Sequence, residues 1–130
     1  MNIDCNSHVP IYEQIVDLVR AAIAAEIYRP GEMLPSLRTM ALELKVNPNT
    51  VHRAYEVLER EGTVYSRRGI GLFVTKQGAV SSRARSKSAL LASLSGDIVS
   101  ARSAGLTDES IRAAFEKALN RTAEQIRSRP

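Results

Sequence analysis

The segment Asn47-Pro48-Asn49-Thr50 restricts this chain more than any other. Asparagine is a strong N-cap, because its side-chain oxygen accepts from a backbone N–H that the first helical turn leaves free. The proline after it has no N–H to lose and a φ already set for a helix. A helix is therefore expected to start at residue 48. Val51, Ala54, Tyr55 and Leu58 give it one apolar face, and Glu61-Gly62 ends it, with Gly62 where a left-handed backbone is favoured. Just upstream, across the turn at Lys45-Val46, Leu37, Met40, Ala41 and Leu44 form the stripe of a short helix capped by Ser36.

The flanks complete a pattern. Pro10 is placed as a first helical residue, and Ile11, Ile15, Leu18, Val19, Ala22 and Ile23 recur at helical spacing, predicting a helix over residues 10–27 that Pro30-Gly31 breaks. Met33-Leu34 is long enough only for an isolated bridge. Residues 63–66 and 72–75 are rich in β-formers and flank Arg67-Arg68-Gly69-Ile70-Gly71, which predicts a hairpin with a basic, glycine-bearing tip. Residues 77–87 are small, polar and basic and read as a linker. Two further helices are expected in residues 88–130. The first carries Leu90, Leu91, Leu94, Ile98 and Val99, with Gly96 as a weak point, and ends at Gly105. The second is capped by Thr107 and carries Ile111, Ala114, Phe115, Ala118 and Leu119 on one face.

The expected fold is thus mainly α with a small β wing: an N-terminal winged helix-turn-helix over 1–76, a basic linker over 77–87, and a C-terminal antiparallel two-helix dimerisation tail over 88–130. A helix that enters a major groove presents its N-terminal residues to base edges. With Val51, Ala54, Tyr55 and Leu58 facing the core, Asn49, Thr50, His52 and Arg53 are left on the outer face. Asn and Arg make the bidentate contacts that separate adenine from guanine. Taken alone, Arg53 has a second use, an ion pair with Glu56 at i+3. Arg67, Arg68 and Gly69 at the hairpin tip suit a phosphate or minor-groove contact.

Charge distribution agrees. Residues 1–75 carry 8 basic and 9 acidic residues, whereas residues 76–130 carry 10 and 5. No Asp or Glu lies between Gly62 and Gly96, while Arg67, Arg68, Lys76, Arg83, Arg85 and Lys87 all do, and a stretch of one sign either attracts a polyanion or is a solvated, flexible linker. Other classes find little support. His8 and His52 lie far apart with no nucleophile motif near them, and there is no phosphate-binding loop or metal-ligand cluster, so no catalytic residue, metal or cofactor is expected. The single cysteine, Cys5, fits a reducing compartment. No apolar run approaches the ~20 residues of a membrane span, and no signal peptide opens the chain. A cytoplasmic protein is expected, with double-stranded DNA as partner and no membrane.

The wording of three stretches is more specific. Pro30-Gly31-Glu32-Met33-Leu34-Pro35-Ser36-Leu37-Arg38, the run Val46 to Tyr55, and Leu58-Glu59-Arg60-Glu61-Gly62 with Arg67-Arg68-Gly69-Ile70-Gly71-Leu72-Phe73-Val74 together resemble the DNA-binding domain of GntR-family regulators over about residues 8–75. The Asn-Pro-Asn-Thr-Val wording and the short tail are similar to the YtrA subfamily, whose members are dimeric repressors, many associated with transporter operons. The resemblance implies a sequence-specific transcription regulator that represses from a palindromic operator as a homodimer. It implies DNA contact from Ser36 and Arg38 at the start of the second helix, from Asn47, Asn49, Thr50, His52 and Arg53 on the third, and from Arg68 and Gly69 on the wing. Leu37 stands where the signature often has Glu, and Pro48 and His52 stand where other subfamilies carry other base readers. In the tail, Leu91, Leu94, Ile98, Ile111, Phe115 and Leu119 are the expected dimer interface. Two helices there give barely enough material for an enclosed effector pocket of ~300 Å³.

Overall fold

The computed structural model describes residues 2–127. It runs α1 (Ile11–Ala24), α2 (Leu37–Leu44), α3 (Pro48–Arg60), β1 (Val64–Arg67), β2 (Gly71–Val74), α4 (Lys76–Ser103) and α5 (Asp108–Arg127). The chain divides into two compact units, residues 1–87 and 88–130; residues 128–130 of the second lie outside the described residues.

In the first unit α3 is the central element, packed on both α1 and α2. Ile15, Val19 and Ile23 of α1, Met40 of α2, and Val51, Ala54 and Leu58 of α3 are all but fully buried together. Each such aliphatic side chain removed from water contributes about 1.5–3 kcal/mol. The caps form as the sequence requires. Ser36 Oγ accepts from the Thr39 N–H at 3.1 Å, and Asn47 Oδ1 accepts from the Asn49 N–H at 2.8 Å. The turn between α2 and α3 closes on Lys45, which takes a left-handed φ of 57°.

β1 and β2 pair antiparallel, with Val64 opposite Val74 and Tyr65 opposite Phe73. Those two rings stack with centroids 5.6 Å apart. Met33 adds an isolated bridge to Phe73, as its short apolar run allows. The wing tip turns at Arg68-Gly69-Ile70, closed by the Ile70 N–H on the Arg67 carbonyl at 2.9 Å, with Gly69 at a φ of +78° that a side chain disfavours.

Two expectations need correction. α1 stops at Ala24, with Pro10 at the N-cap and not in the first turn, because Glu26 enters the left-handed region at φ 62°. More consequentially, residues 77–87 are not a linker: they are helical and belong to α4. Gly78, Ala79 and Ser82 are buried, and Thr75 caps the start with its hydroxyl 2.8 Å from the Gly78 N–H. The small, polar composition that resembles a linker is what lets this helix lie against the base of the wing.

α1 is tied to the end of α3 by Arg20, which holds Glu61 with both ends of its guanidinium, Nε to Oε1 at 2.9 Å and Nη2 to Oε2. Burial pushes the Glu61 carboxyl up. The hydrogen bonds from Arg20 and Thr63, with the Arg20 charge, outweigh this and hold it below the ordinary glutamate value. A depressed carboxyl contributes stability that is complete above its unfolded pKa of about 4.3 and is lost as pH falls through the folded value. Glu61→Gln is therefore expected to cost about 1.5–3 kcal/mol at pH 7, the range for a hydrogen bond to a charged group. The gap from the wild type should narrow progressively as pH falls below the unfolded value of about 4.3. Denaturant melts across pH 3–7 check it; a gap that does not narrow towards pH 3 would contradict the assignment.

Candidate nucleic-acid interface

The N-terminal turns of α3 present Asn49, His52 and Arg53 as exposed side chains, with Thr50 half-buried beside them. Asn47, by contrast, holds its side-chain oxygen in the cap, and its amide N–H groups are the donors it has for a ligand. Ser36 is similarly engaged: besides capping α2, its hydroxyl donates to Thr39 Oγ1 at 2.9 Å. Arg38 is exposed on the first turn of α2. Tyr55 fixes the spacing of the two helix starts. Its hydroxyl donates to the Pro35 carbonyl at 2.8 Å, and burial raises its pKa well above the usual phenol range, so it remains a donor.

The partners of the exposed residues differ from what spacing suggests. Glu56 is not paired with Arg53: His52 Nδ1 lies 2.8 Å from Glu56 Oε1, one turn along the helix. With Nδ1–H donating to the carboxylate, Nε2 is left as an acceptor in the neutral ring and a second donor in the cation. Arg53 instead lies over Tyr12, its guanidinium carbon 3.9 Å from the ring centroid. Tyr12 is the residue that sequence reasoning missed. It sits in the first turn of α1, 41 positions away, and no local spacing links it to Arg53.

On the wing, Arg67 leans over the Phe73 ring at 5.2 Å, while Arg68 and Gly69 are exposed at the tip. Neither Arg38 nor Arg68 has an ion pair among the described residues. Guanidinium groups without carboxylate partners keep their donors for an incoming anion. Between α3 and the wing lies an open cleft of about 460 Å³. Glu56 and Glu59 line it together with His52 and Arg67, so its wall is of mixed sign, and the cationic edges at the start of α3 and at the wing tip are the better anion sites.

The six tail residues expected at an interface divide by exposure. Leu94, Ile98 and Ile111 are half-buried, and Leu91, Phe115 and Leu119 are exposed. Among the described residues no group of His, Cys, Asp and Glu is placed to hold a metal, and no helix is long and apolar enough to cross a membrane.

Residues 11–74 match the model of the bacterial regulatory proteins of the gntR family. A solved GntR family transcriptional regulator from Listeria monocytogenes superposes on 86% of this chain and 97% of its own, at 31% identity and a TM-score of 0.64. The chain belongs to the GntR family. A second solved transcriptional regulator, from Oenococcus oeni, is 32% identical and covers 90% of this chain and 97% of its own, with a TM-score of 0.71. Among curated relatives, the HTH-type transcriptional repressor YtrA of Bacillus subtilis is 42% identical over 76 residues, 58% of this chain and 58% of the relative. This GntR-family chain thus matches under two thirds of that relative's length. The family and these relatives are regulators and not enzymes.

Proposed function

We propose that this GntR-family chain is a sequence-specific DNA-binding transcription regulator that works in the cytoplasm and represses from a palindromic operator as a homodimer. One observation carries the reading. The capped start of α3 displays Asn49, His52 and Arg53 together, on the same unit as a wing tip that displays Arg67 and Arg68. Side chains able to read base edges stand on one element and phosphate-binding cations on the other. Repression is supported by the similarity of 76 residues of the chain to a transcriptional repressor of Bacillus subtilis. The homodimer is supported by the apolar side chains that the tail leaves in solvent.

Selection of bound duplexes from a random pool at physiological salt tests the reading directly. The expected product is an inverted repeat with half-sites about 10 bp apart or a multiple of that. Unselected sequence after several rounds would refute specific binding. On the selected duplex, replacing both Arg67 and Arg68 by Ala should weaken specific and random DNA alike and reduce the slope of log affinity against log salt by about 1–2. An unchanged slope would remove the wing from the interface.

A further inference from the structure

We infer that Tyr12 of α1 is a positioning residue for recognition: its ring is the platform on which Arg53 is held for reading a base. The inference rests on the reading of α3 as the base-reading helix, and it adds α1 to the specificity apparatus. The geometry begins with the short distance of 3.9 Å between the guanidinium carbon and the ring centroid. Tyr12 is itself half-buried and packed against the core, so the platform does not move freely. Its hydroxyl donates to Glu13 at 3.2 Å, and donation to a carboxylate makes the ring richer in electrons and a better seat for a cation. Glu56, the acid that helical spacing offers to Arg53, is taken by His52. Nothing else among the described residues pairs with Arg53.

Stacking uses the face of a guanidinium and leaves its in-plane N–H edges free. Those edges form the fork that meets guanine O6 and N7 or a phosphate. An arginine already held in one plane loses less rotamer freedom on binding than a free one. Asn49, Thr50 and Arg53 border a shallow depression with Ile11 and Tyr12, about 390 Å³ in volume. The starts of α1 and α3 therefore form one continuous surface.

The test uses full-length protein and the selected operator, with each position of one half-site varied through all four bases. Arg53→Ala should lower affinity about tenfold and flatten the preference at one base pair. Tyr12→Leu keeps an apolar side chain but removes the aromatic face. It should lower affinity about threefold to tenfold and flatten the same base pair. Tyr12→Phe and Tyr12→Trp, which keep the face, should hold the preference, so the outcome does not depend on the folding of a single variant. The double variant Tyr12→Leu with Arg53→Ala should bind no more weakly than Arg53→Ala alone. Additive losses in the double variant, or a Tyr12→Leu protein with wild-type base preference, would overturn the platform. So would an equal loss in Tyr12→Phe, which would assign the effect to the hydroxyl. If Arg53→Ala leaves every preference intact on a specifically bound operator, it is the assignment of Arg53 as a reader that fails. If the wild type selects no sequence, the functional reading fails before the platform is at issue.

Discussion

Phe115→Asp is expected to convert a dimer into a monomer and to lower operator affinity roughly 100-fold, the scale on which linked half-sites strengthen each other. The reason lies in what the second unit fails to bury. From residue 88 to residue 125 no described side chain is buried. Leu91 is 66% exposed, Phe115 43% and Leu119 49%, although each stands on an apolar helical face. A unit made of two helices has too little interior for a core of its own. Apolar faces left in water mark an interface, and a second copy related by a two-fold axis would complete a four-helix bundle. An aspartate in such a bundle would bury an unpaired charge, which is more costly than truncating a central aromatic anchor at about 2 kcal/mol or more. Light scattering at micromolar concentration measures the state directly. Circular dichroism should show the first unit still folded. A monomeric wild type, or a variant that stays dimeric, would place the interface elsewhere.

Gly78→Ala is expected to lower the melting temperature by roughly 5–10 °C, while Gly96→Ala in the same helix should raise stability by up to about 1 kcal/mol. Both replacements gain the helix preference of alanine over glycine. They differ in what the new methyl meets. At Gly78 it would lie 2.5 Å from the Thr63 carbonyl oxygen and 2.8 Å from the Thr63 Cα, both backbone atoms that have no rotamer to yield. Forcing a methyl into packed surroundings costs about 1–3 kcal/mol, which exceeds the propensity gain. The joint it would pry open is well bonded. The Thr75 hydroxyl donates to the carbonyls of Gly62, at 2.7 Å, and Thr63, at 3.1 Å, and accepts from Gly78. At Gly96 nothing lies within 4 Å. Thermal melts at one fixed protein concentration compare the two, so that any self-association affects both equally. Equal shifts of the same sign would show that α4 does not press on the wing at Gly78.

Local sequence chemistry determined the N-terminal elements and the place of the candidate interface. The cap at Asn47 and the proline after it fix where α3 begins, because both act on backbone groups within one turn. The spacing of Val51, Ala54, Tyr55 and Leu58 then decides which side chains are left outside, since a helix has one period. The hairpin follows in the same way from β-formers on either side of a glycine-bearing tip. Tertiary structure alone decided the rest. Residues 77–87 have the composition of a flexible connection, and only the tertiary structure, which buries Gly78, Ala79 and Ser82 and brings Gly78 against Thr63, makes them the opening turns of α4. Arg53 had two local prospects, solvent or Glu56, and a ring 41 positions away settled its place, because a cation on an aromatic face is a contact between elements that carries no periodicity. Spacing within a segment reports on neighbours along the chain, whereas the partners that orient a binding side chain come from whichever elements the core brings together.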